Sequence, residues 1–175
     1  MSLVLNGDTG VQGNSGAFVA GTAVASTSGT SIDFTSIPSW VKRITVMFAG
    51  VSTNGAAQIG FLISSDGTYT ASGYLGTGSQ ISGTNATQTS NPTSQFTTSP
   101  GGAASCVYHG NATICLVDAA TNTWSFSSVL GRSDGAATTF GGGSKSLSGT
   151  LTSIRVTTIG GTNTFDAGTI NILYE

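Results

Sequence analysis

The chain offers one histidine, His109, two cysteines, Cys106 and Cys115, and seven carboxylates from which acid-base or nucleophilic chemistry could be built. A thiol nucleophile needs its base within hydrogen-bond reach. Cys106 and His109 are three positions apart, so on one strand they point to opposite faces and do not pair. A Ser-His-Asp triad would have to draw His109 from a distance. His109 therefore reads as a structural residue beside a turn. Asp66, Asp118, Asp134 and Asp166 sit among small polar residues. Two of them converging could serve a glycosidase, but solvated or turn-capping carboxylates are the plainer reading. No C-x-x-C, H-E-x-x-H or calcium-loop spacing occurs, so neither a metal nor a cofactor is expected. Gly141-Gly142-Gly143-Ser144-Lys145-Ser146 lacks the Gly before Lys and the following helix of a phosphate loop, and reads as a hairpin tip. With so few acids and bases, no enzyme is expected.

The cysteines admit two arrangements. Gly110-Asn111 suits a two-residue hairpin turn, which would set Cys106 opposite Cys115 in a non-hydrogen-bonded pair. Such pairs have Cα atoms about 4.5 Å apart, so a cross-strand disulfide is geometrically allowed. Two small buried thiols, as in a protein made in a reducing cytoplasm, are the alternative.

Aromatic side chains are the remaining candidates for contact with a ligand. Tyr69 and Tyr74 lie between turn formers in Asp66-Gly67-Thr68-Tyr69-Thr70-Ala71-Ser72-Gly73-Tyr74. Tyrosines in such a setting can stack on a sugar ring and hydrogen-bond its hydroxyls; lying flat on the base of the loop is the alternative. Gly67 to Gly102 has little regular pattern, and no Asp, Glu, Lys or Arg occurs from Gly67 to Val117. Long loops at one end of the domain are expected there, where binding residues concentrate.

The elements that must hold these residues read as strands. Alternating apolar positions recur at Ile32/Phe34, Ile44/Val46/Phe48, Ile59/Phe61/Ile63, Ile114/Leu116, Trp124/Phe126, Ile154/Val156 and Ile170/Ile172/Tyr174. Gly, Asn and Asp clusters separate them, the pattern of an antiparallel β-sandwich or jelly roll. Ile44, Val46, Phe48, Phe61, Ile114, Leu116, Ile154, Val156, Ile170 and Ile172 are the expected core, with Trp40, Trp124 and Phe126 beside them. Residues 1–30, in which Gly10 to Thr30 holds mostly small residues apart from Phe18 and a few Val, read as an extended N-terminal arm that cannot build its own core; residues 31–175 read as the sandwich domain.

Trp40 to Val51 carries Val41, Met47 and Val51 as a second apolar set. A strand apolar on both faces needs a second cover, a loop or a subunit interface. Few charges guard the strand edges, which also points to a homo-oligomer. The formal net charge is −2 and only Lys42 and Arg43 are adjacent cations, so nucleic acid is not an expected partner. No apolar run approaches the roughly 20 residues of a membrane-spanning helix, and no membrane insertion is expected.

Ser31-Ile32-Asp33-Phe34-Thr35-Ser36-Ile37-Pro38-Ser39-Trp40-Val41-Lys42-Arg43-Ile44-Thr45-Val46-Met47-Phe48-Ala49-Gly50-Val51-Ser52-Thr53-Asn54-Gly55 resembles a stretch common in tail-associated virion proteins of tailed bacteriophages. Phe165-Asp166-Ala167-Gly168-Thr169-Ile170-Asn171-Ile172-Leu173-Tyr174-Glu175 is similar to the terminus of those proteins. The resemblance implies a virion surface protein, tail-fibre-like and homotrimeric, made in the host cytoplasm. It implies a role in host attachment, and the Tyr69 and Tyr74 region then suggests a cell-surface glycan as ligand. A capsid decoration, head-fibre or adaptor protein, joined to other virion proteins through the arm, is the alternative.

Overall fold

The computed structural model describes residues 4–6, 10–12, 18–83, 86–99 and 102–175. In chain order the strands are β1 (Val4–Asn6), β2 (Gly10–Gln12), β3 (Val19–Ala20), β4 (Val24–Ala25) and β5 (Ser31–Phe34). Next come β6 (Arg43–Thr53), β7 (Ile59–Ser64), β8 (Leu75–Ser82), β9 (Ala86–Ser90) and β10 (Phe96–Thr97). The last five are β11 (Tyr108–Asp118), β12 (Thr123–Arg132), β13 (Ala137–Ser146), β14 (Ser153–Thr158) and β15 (Phe165–Tyr174). No helix interrupts them among the described residues.

Two antiparallel layers form the expected sandwich. A smaller sheet runs β10-β7-β14-β5, and a larger one runs β3-β15-β6-β11-β12-β13-β8-β9, with β4 also on β15. Alternation aims one face of each sheet inward. On β6, Val46 lies between Ile172 of β15 and Ala112 of β11, and Ile44 lies between Tyr174 and Ile114. Across the core, Ile154 and Val156 of β14 face inward beside Ile63 and Phe61 of β7. The expected core residues are buried, except that Leu116 is only partly so; Trp124 and Phe126 are buried and Trp40 packs at the margin.

A ring column joins the layers. Phe48 of β6 meets Phe61 of β7 at 5.9 Å, and Phe61 meets Phe126 of β12 at 5.2 Å. Phe126 stacks on Phe96 of β10 at 4.7 Å and 2°, and Phe96 meets Tyr74 edge-on at 4.8 Å.

Four sequence expectations change here. Val51 does not share a face with Met47: Gly50 (φ +69°) opens a bulge opposite Tyr108 and Gly110, which turns Val51 inward. Val41 is buried ahead of β6, so Met47 alone remains of the second apolar set. Gly67 to Gly102 is not merely loop, since it contributes β8, β9 and β10. Gly110-Asn111 is no turn, because β11 runs straight through it with β6 and β12 as neighbours. Gly141 to Gly143 is no hairpin tip but the middle of β13. A Cβ on Gly141 would lie 2.2 Å from the Thr97 carbonyl oxygen, so glycine there lets β10 lie against the sheet.

Residues 18–26 of the arm are ordered by their own chain. β3 and β4 pair with β15, and Gly21 N–H donates to the Ile172 carbonyl at 2.7 Å. Ser26 is fully buried, its hydroxyl donating to the Ala167 carbonyl at 2.8 Å. Nearer the N-terminus, β1 and β2 pair antiparallel with each other.

Phe61→Ala is expected to cost about 3–5 kcal/mol of stability, the range for an aromatic truncated in a filled core. Urea unfolding reads it as a lower midpoint at unchanged slope. A loss below about 1 kcal/mol would show that the column does not hold the layers together.

Candidate functional site

Most of the groups that could carry chemistry make contacts within the fold. His109 accepts a hydrogen bond from Gly50 N–H on Nδ1 at 3.2 Å, so its Nε2–H is the donor toward Ser133 Oγ at 3.1 Å. The ring thereby pins the β6 bulge to the β12–β13 turn. Cys106 is buried and its Sγ accepts from Ala103 N–H at 3.1 Å. Cys115 is half-buried and both thiols are free. The disulfide is corrected with the hairpin that would have made it: Tyr108 to Cys115 alone spans about 23 Å of extended chain, where a bridge needs Cα atoms within about 7 Å.

Each described carboxylate serves a separate turn or edge. Asp134 takes Arg132 at 2.5 and 3.1 Å and the Val107 N–H at 3.0 Å. The Arg132 hydrogen bond holds its carboxyl at about 2, well below the usual range. Asp33 binds Arg155 through two 2.7 Å contacts. Asp66 accepts from Thr68 N–H and Ser64 Oγ, and Asp118 from Ala120 N–H and Thr121 Oγ1. Asp166 accepts from the Ser52 hydroxyl, and Glu175 pairs with Arg43. Among the described residues no three of His, Cys, Asp and Glu gather in a metal-holding group.

The two tyrosines are not the stacking platform expected of them. Tyr74 is 1% exposed, and its hydroxyl accepts the Ile63 N–H at 3.0 Å. Lys145 Nζ lies 4.3 Å from the Tyr74 ring centre and donates to the Ser72 carbonyl at 2.6 Å. Burial pushes the Tyr74 phenol up to about 12. Tyr69 is half-buried, with the Arg155 guanidinium 4.3 Å from its ring centre. Both side chains instead anchor the base of the segment between β7 and β8.

That anchored segment borders a depression of about 240 Å³. Ser64, Ser65, Asp66, Thr68 and Thr70 line one side. Lys145, Ser146, Leu147 and Ser148, from the end of β13 and the turn after it, line the other. Ser65 and Ser148 hydroxyls touch across it at 3.2 Å. Asp66 and Lys145 make bonds within the protein, which leaves a wall made chiefly of hydroxyls, with Ile63 and Leu147 as its apolar side chains. No single motif signals it in the sequence, because Ser and Thr are everywhere and Ser65 and Ser148, which meet across it, are 83 positions apart.

A second surface is the outward face of the larger sheet. Pairing aligns Asn171, Met47, Asn111, Val129, Phe140 and Ser79 in one row across six strands. Thr45, Thr113, Ser127, Gly142 and Thr77 form the next row. Neither row holds a charge. A shallow groove of about 470 Å³ runs past Ile81, Gly131, Thr138 and Phe140 toward Arg132.

No protein-family model, curated protein or solved structure matches this chain.

Acid should weaken the Asp134 clasp. Its folded-state carboxyl titrates near 2 against about 3.9 in an unfolded chain, so its contribution is full above about pH 4 and lost as pH falls toward 2. Urea midpoints of wild type and Asp134→Asn are expected to converge between about pH 5 and pH 2. A gap of constant size would show that the ionised carboxylate contributes nothing.

Proposed function

We propose that this chain is a virion surface protein, tail-fibre-like, that helps attach a phage to its host by binding a neutral cell-surface glycan. The observation that carries this reading is the hydroxyl-lined depression between the β7–β8 segment and the turn after β13. Serine and threonine hydroxyls both donate and accept, which matches the hydroxyls of a sugar ring. Leu147 adds a small apolar surface for the ring's C–H face. Its two charged neighbours, Asp66 and Lys145, are of opposite sign and each is held by neutral partners of the protein, so the site carries no net charge for a polyanion to exploit. The resemblance of residues 31–55 and 165–175 to tail-associated virion proteins supports the setting. Tyr74 has no place in this site, and Tyr69 supports it only from below.

A purely structural role, as decoration or adaptor protein, is favoured by a different observation. Phe18 is 72% exposed at the start of the segment stitched to β15, and Val19 and Val24 are also exposed there. A map of the intact particle separates the two: a distal position fits attachment, and an arm buried in another virion protein fits an adaptor.

Ser148→Trp fills the depression from an exposed turn and is expected to weaken binding to host cells by about tenfold or more. Wild-type binding is expected to change little between about 0.05 and 0.5 M salt, because no ion pairs are made. Equal binding by Ser148→Trp would remove the depression from the reading. A steep loss with salt would replace the neutral glycan with a charged ligand.

A further inference from the structure

Two glycines in the larger sheet have no reason for being there within the chain. From β6 to β15, every other strand glycine either has a positive φ or would force a Cβ to within 3.0 Å of a neighbour. A Cβ on Gly131 would meet nothing within 4 Å, and one on Gly142 would meet only the Phe126 carbonyl oxygen at 3.9 Å. Neither has a positive φ. Glycine weakens a strand relative to alanine, and its presence in a strand often marks close approach by another body. Both glycines lie on the outward face, in register beside its exposed apolar side chains.

Those side chains are Val129, Phe140 and Ile81, which are 53%, 39% and 48% exposed. Val129 and Phe140 are direct partners across β12 and β13, and Ile81 is diagonal to Phe140 on β8. Ridge and gap therefore alternate along one surface: Phe140 beside Gly142 on β13, Val129 beside Gly131 on β12. The groove past Ile81, Gly131, Thr138 and Phe140 adds a socket to the same patch.

We infer that this face packs against the same face of a second copy of the chain, related by a two-fold axis. An isologous contact requires one patch to carry both halves of its complement, and this one does. An axis lying across β13 at Gly141 seats each copy's Phe140 over the other's Gly142. The lack of charge in the central rows removes the repulsion that two identical charged faces would suffer. Six strands about 4.8 Å apart and roughly seven residues long give a platform of about 700 Å². That is close to the ~800 Å² per partner of a stable interface. The inference stands independently of the glycan reading, whose site is a different depression. It moves self-association from β6, whose second apolar set is reduced to Met47, to β12, β13 and β8.

Sedimentation equilibrium at roughly 1–100 μM chain is the test, with Phe140→Lys and Gly142→Arg as variants. Both point outward into open space, so circular dichroism should match wild type. A wild-type dimer weakened about tenfold or more by each variant is the expected result. A monomeric or trimeric wild type would overturn the inference, and so would a dimer that both variants leave intact.

Discussion

The distance between the two layers is set by rings stacked from alternate sheets. Phe48, Phe61, Phe126 and Phe96 come in turn from the larger and the smaller sheet, and Tyr74 ends the series. The Phe96–Phe126 stack requires β10 to lie almost on the backbone of β13, and Gly141 leaves the room for it. Aromatic pairs add about 0.5–1.5 kcal/mol each beyond their area. Its last ring fixes the next level of structure. Tyr74 holds Lys145 over its face and the Ile63 amide at its hydroxyl, and Lys145 holds the Ser72 carbonyl. The wall of the hydroxyl-lined depression is thus an extension of the core.

Much of this fold is legible in the sequence wherever alternation is strong. β6, β14 and β15 announce themselves because each buries every second side chain over several residues. Glycine is harder to read, since one residue type serves several physical ends. Gly110 beside Asn111 looks like a turn, yet its φ of +135° serves close passage: a Cβ there would lie 2.4 Å from the Val129 carbonyl oxygen. Gly141 to Gly143 looks like a flexible tip and is a sheet centre. Val51 was misplaced for a related reason, because period-two counting fails after a bulge, and nothing but Gly50 warns of it.

The residues of the candidate site are the least legible. Tyr69 and Tyr74 stand among turn formers in the sequence, but aromatic rings beside a core tend to join it, and Tyr74 did. The hydroxyls around the depression carry no periodic signal, and only the fold brings Ser65 to Ser148. Charged residues were better behaved. Their scarcity in the sequence corresponds to a structural use, the pinning of turns and strand ends by Asp66, Asp118, Asp134 and Arg43 and of edge strand β5 to β14 by Asp33.

The stitching of residues 18–26 to β15 also dictates an order of events during synthesis. Ser26 must wait for Ala167, a partner 141 positions later in the chain. At ordinary elongation rates that wait is on the order of ten seconds. β6 likewise emerges with one edge that only β15 will fill. Such long-range pairing makes for slow folding, because loop closure precedes any reward from contact. The nascent chain therefore spends those seconds with unpaired strand edges on display.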